Sequence, residues 1–180
     1  MQATTIKNRQ QVIPSTLTPG QIIAKYQKHA PVDVVAIAKE LGINVWSKSF
    51  PSSDVSGMIF RDELNGGDSG YSIAVNAKDA LVRQRFTVAH EIAHFILHRS
   101  QLEQGDLIDD AMYRSNVSSQ DETAANRLAA DILMPYALIQ TLIDAGFKDP
   151  QNLANKLEVS LPAIKIRLGL PLETRASVSA

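Results

Sequence analysis

Five consecutive residues, His90-Glu91-Ile92-Ala93-His94, carry the clearest chemistry in this chain. On an α-helix each residue advances about 100°, so histidines four apart lie nearly one above the other. Their imidazoles can converge on one metal ion while Glu91 borders the same place, the zinc-plus-general-base arrangement that hydrolyses peptide bonds. The string is short enough to arise by chance. With four His and seven Glu in 180 residues, a random H-E-x-x-H occurs roughly once in 300 such chains. Its neighbourhood has to decide.

A catalytic zinc takes three protein ligands and keeps one position open for water. The chain has no cysteine, so the third ligand must be His, Asp or Glu. Glu122 is the foremost candidate, in the first turn of an alanine-rich segment whose Ala124, Ala125 and Ala129 allow close approach to the motif helix. Asn126, four residues on, falls on the same helical face and can orient a ligand imidazole by a hydrogen bond. Glu122 has a competing role, because Ser119-Gln120-Asp121-Glu122 fits a capping box. Ser118 with Asp121 can supply a similar cap one residue earlier, which leaves Glu122 for metal; beside H-E-x-x-H the ligand role is preferred. His98 continues the i, i+4 series one turn further and reads as a packing or solvent-facing residue. Tyr113 and Arg114 are candidate oxyanion donors, set against the plainer reading of a solvated loop.

The elements that must position these groups follow from periodicity and stop signals. Thr18-Pro19 opens a helix running to about His29, and a second runs from Asp33 to Leu41, stopped by Gly42. The period then changes to two: Ile43 and Val45 alternate with polar or amphipathic neighbours, and 55–60 and 71–75 read as further strands. Asn65-Gly66-Gly67-Asp68 between the last two signals a hairpin. Residues 79–99 return to a helical period and carry the motif; 100–117 are polar and irregular, long enough for a functional loop. Helices over 118–134, from Pro135 to Gly146, 149–157 and 160–168 complete the chain. The expected fold is α+β, zincin-like: a small, mainly antiparallel three-stranded sheet packed against a mostly helical body that carries the H-E-x-x-H helix. One domain spans 17–170, between tails at 1–16 and 171–180, and its 149–168 subregion reads as helix-turn-helix-like.

Composition narrows the classes. A chain of 180 residues, 44% hydrophobic and 21% charged, is that of a globular domain. A net charge of −1 gives no general attraction to nucleic acid or anionic membrane, although Lys156, Lys165 and Arg167 make 149–168 locally basic. No secretory signal and no membrane-spanning run is visible, so the default location is cytoplasmic.

The stretch Arg85-Phe86-Thr87-Val88-Ala89-His90-Glu91-Ile92-Ala93-His94-Phe95-Ile96-Leu97-His98 resembles the signature of the ImmA/IrrE metallo-endopeptidases. Glu122-Thr123-Ala124-Ala125-Asn126-Arg127-Leu128-Ala129-Ala130-Asp131-Ile132-Leu133-Met134-Pro135 is similar to that family's second motif, a Glu four residues before an Asn ending in Leu-Met-Pro. Pro31-Val32-Asp33, Leu41-Gly42-Ile43, Val159-Ser160 and Arg167-Leu168 extend the resemblance over about 30–170. Two departures are mild: Ala93 where Gly is common, and Leu128 where an aromatic is common. The resemblance implies one Zn2+ held by His90, His94 and Glu122, with Glu91 as catalytic base. It further implies a regulatory endopeptidase of stress or mobile-element control, whose protein substrate is a helix-turn-helix repressor encoded nearby, with no membrane partner. Two other readings stay open: a DNA-binding regulator acting through 149–168, and a non-catalytic partner that binds a repressor or toxin without cutting it.

Overall fold

The computed structural model describes residues 17–103 and 118–172. The two terminal tails, apart from Pro171 and Leu172, and most of the 100–117 stretch, including Tyr113 and Arg114, lie outside the described residues. Two short helices, α1 (Pro19–Tyr26) and α2 (Val34–Glu40), precede strands β1 (Ile43–Lys48), β2 (Gly57–Arg61) and β3 (Tyr71–Asn76). The long helix α3 (Leu81–Leu97) is followed by one turn of helix, α4 (Arg99–Glu103). Helices α5 (Ser119–Leu133), α6 (Tyr136–Asp144), α7 (Pro150–Leu157) and α8 (Leu161–Arg167) form the remainder. Their starts are chemically set: Thr18, Asp33, Ser118, Asp149 and Ser160 each accept a backbone N–H from the following turn.

The expected α+β architecture holds, with one correction to the sheet. Its order is β1-β3-β2, with β2 antiparallel and β1 parallel to the central β3, so the sheet is mixed rather than mainly antiparallel. The β2–β3 hairpin is local and its glycine-rich connection announces it. The parallel pairing of β1 with β3 spans the whole of 49–70, and parallel strands need such a crossover. No turn residue in the sequence encodes that pairing. A second difference is α4, which makes 100–103 helical where the sequence reads as irregular chain from residue 100; an Arg99–Glu103 ion pair at 3.0 Å joins its ends.

Every residue of β3 is buried. In register, Ile43, Ile59, Tyr71, Ile73 and Val75 form one apolar row set and enter the common core with Val88, Ala89, Ile92 and Phe95 of α3. Gly57 permits close approach of β2 to α3, since a Cβ there would lie 2.5 Å from Thr87 Cγ2. On the other side α3 packs against α5, where Ala89, Ala93, Ala125 and Ala129 are all fully buried. Arg85 then ties α3 to the C-terminal helices: its guanidinium donates to the Val32 carbonyl at 2.8 Å and faces the Glu158 carboxylate at 3.4 Å. Leu153 and Leu157 of α7 and Ile164 of α8 join the same core. No described helix is long and apolar enough to cross a membrane.

Candidate metal centre

Helix α3 has the sheet against one side and α5 against another, so His94 is completely buried and Glu91 is 4% exposed. His90 stands one turn before His94, its imidazole stacked on Phe86 with ring centroids 6.1 Å apart. The two Nε2 atoms converge to 2.9 Å. Helical spacing brings the rings together.

Glu122 arrives from α5. Ser118 Oγ accepts the Asp121 N–H at 3.1 Å and so supplies the cap. The Ser119–Glu122 capping box is therefore not the one used, and the Glu122 side chain turns to α3. Its carboxylate oxygens lie 3.3 Å from His94 Nε2 and 3.6 Å from His90 Nε2. Among the described residues, His90, His94 and Glu122 are the one group whose donor atoms could hold a metal ion, all within 4.8 Å of one another.

The size of this triangle is informative. Zinc bonded tetrahedrally at about 2.0–2.1 Å places its donor atoms about 3.4 Å apart. The observed separations of 2.9, 3.3 and 3.6 Å bracket that edge, so the three groups fit the ion with small adjustments. The protonation state suits it as well. Burial, reinforced by His90 and then His98, pushes the His94 pKa down to about 3. The ring is then neutral near pH 7, as a ligand must be. Asp121, beside Glu122, is held below the usual carboxylate range, chiefly by the Ser118 side-chain hydrogen bond.

Asn126 does not join the group. It is exposed and makes no hydrogen bond to either imidazole. Neighbouring positions on a helix differ by about 100°, and Ala125 and Ala129 occupy the line of contact with α3, so Asn126 falls on the outer flank. Conversely, His98 is more involved than its sequence position suggests. It is 8% exposed, its ring centroid is 5.3 Å from that of His94, and its Nδ1 is 3.8 Å from Asp121 Oδ1. The only advance signal was the regular His90, His94, His98 ladder opposite two adjacent acids.

Comparison with known proteins places these features in context. No curated protein matches the sequence. Among solved structures, a Mycobacterium tuberculosis transcriptional regulator is similar at a TM-score of 0.49 and 14% identity, over 87% of this chain and 42% of that one. This chain thus spans less than half the length of that protein. The model of the IrrE N-terminal-like domain, peptidase M78, matches residues 38–169, which contain every helix and strand from β1 onward and all three clustered side chains. The chain therefore belongs to the IrrE N-terminal-like, peptidase M78 family.

Proposed function

We propose that this protein is a zinc-dependent endopeptidase whose metal is held by His90, His94 and Glu122. The observation that carries the reading is the donor triangle, whose dimensions and neutral buried imidazole suit zinc. When bound, zinc supplies an acidified water and polarises the scissile carbonyl. Glu91 follows His90 directly on α3, where its carboxylate would accept the proton of the attacking water and pass it to the departing amide nitrogen. Burial of Glu91 and His94 keeps bulk water from competing for that proton and fixes both groups before substrate arrives. His90 and Glu122, which are partly exposed, mark the side from which a peptide reaches the centre.

The substrate proposed is a helix-turn-helix repressor encoded nearby, cleaved in a regulatory response within the cytoplasm. Family membership and the resemblance of the two motifs support this. The test is to incubate the purified protein, with zinc, with the repressor encoded by the adjacent gene and to map fragments by mass spectrometry. Zinc-dependent cleavage that Glu91→Gln removes is expected. Intact repressor, with regulation in cells unchanged by Glu91→Gln, would favour the non-catalytic partner instead.

A further inference from the structure

Helix α3 presents a ladder of three histidines, His90, His94 and His98, and any two neighbours form an i, i+4 pair. A carboxylate from α5 therefore has two overlapping pairs to meet, and His94 belongs to both. Glu122 itself does not settle the choice, because its side chain is 35% exposed and lies in the first turn of its helix. Its neighbour Asp121 does. The two acids point about 100° apart around α5. The Asp121 carboxylate accepts from Ser118 and Gln101 and sets its Oδ1 3.8 Å from His98 Nδ1; with it there, the Glu122 oxygens fall on His94 and His90.

His98 is also an expensive residue for mere packing. Its side chain is 9% exposed, and Nε2 is buried with no hydrogen-bond partner among the described residues. An aliphatic side chain would fill the same space without an unsatisfied nitrogen. We propose that Asp121 and His98 form a positioning pair that fixes the first turn of α5, so that Glu122 completes a metal site with His90 and His94 and not with the overlapping His94–His98 pair. This inference rests on the metal-site reading above.

Zinc affinity by competition with a chromophoric chelator, melting of the metal-free protein, and the visible spectrum of the cobalt-loaded protein test it together. Asp121→Asn and His98→Leu are expected to weaken zinc binding about 10-fold, the range seen when groups supporting metal ligands are removed. The double variant should be no weaker than the worse single one, and the cobalt spectrum should change. Metal-free His98→Leu should melt no lower than the parent. His98→Asn, which keeps a donor near the Nδ1 position, should restore most of the affinity. Unchanged affinity in both single variants, in a protein that loses zinc on Glu122→Gln, would overturn the pair while leaving the metal site intact. Lost affinity that tracks a lower melting point and is not restored by His98→Asn would make the role structural and also overturn it. If Glu122→Gln leaves zinc binding untouched, the metal-site reading itself fails.

Discussion

His94 and Glu122 stand 3.3 Å apart but are held in place by opposite means. His94 is on the central helix and wholly buried. Glu122 sits in the first turn of α5, where Ser119 and Gln120 are exposed and Ser118 provides the cap. One half of the site is built into the core; the other reaches it from the capped first turn of a neighbouring helix. Under the proposed function the core half supplies Glu91 and two of the metal ligands, and the helix-end half supplies the third.

The sharpest way to break this comparison is Glu91→Gln. The variant keeps side-chain volume and all three donor groups, and it should retain zinc while peptidase activity falls about a thousandfold, within the 10²–10⁴ range for losing a general base. Cleavage rate and metal content measured on one preparation decide it; loss of both together would make Glu91 part of the scaffold. Acid separates the halves next. The His94 pKa of about 3 lies below its ordinary value of 6.5, so on acidification the unfolded chain takes up this proton first. Stability of the metal-free protein should be full above about pH 6.5 and fall by several kcal/mol as pH drops toward 3. His90 and His98 flank this ring on α3 while Asp121 and Glu122 face it from α5. The slope should flatten in His94→Leu, measured by thermal melting across pH; a slope unchanged in that variant would assign it to the carboxylates.

Ligand substitutions sharpen the contrast. His94→Ala should abolish stoichiometric zinc, because no other side chain can enter that buried position. Glu122→Asp, one methylene shorter but still a carboxylate on a partly exposed first turn, should lose only about 10-fold in affinity. Equal losses would show that the two halves are equally intolerant of change. At the seam between them, Ala129→Leu inserts volume at a fully buried position of α5, and should cost about 1–3 kcal/mol in denaturant unfolding. Asn126→Ala closes the series: the residue faces solvent, so zinc affinity and cleavage should stay as they are.

The same contrast explains what could be read from the sequence. The two histidines and Glu91 depend on spacing within one helix, and helical period is a local property, so residues 90–94 announced them. Ser118 with Asp121 correctly released Glu122 from capping, since caps are also local. The failures concern relations between elements. Asn126 shares a helical face with Glu122, but the rotation of α5 about the buried Ala125 and Ala129 leaves it exposed to solvent. The pairing of His98 with Asp121, and the parallel registration of β1 on β3, depend on contacts across long stretches of chain that no local pattern records.

The most direct test of the central claim is elemental analysis of the purified protein beside its His90→Ala and Glu122→Gln variants. The account predicts one zinc ion per chain in the parent and substoichiometric metal in both variants. A parent with well under one divalent ion per chain, or variants that keep the parent's full content, would contradict it.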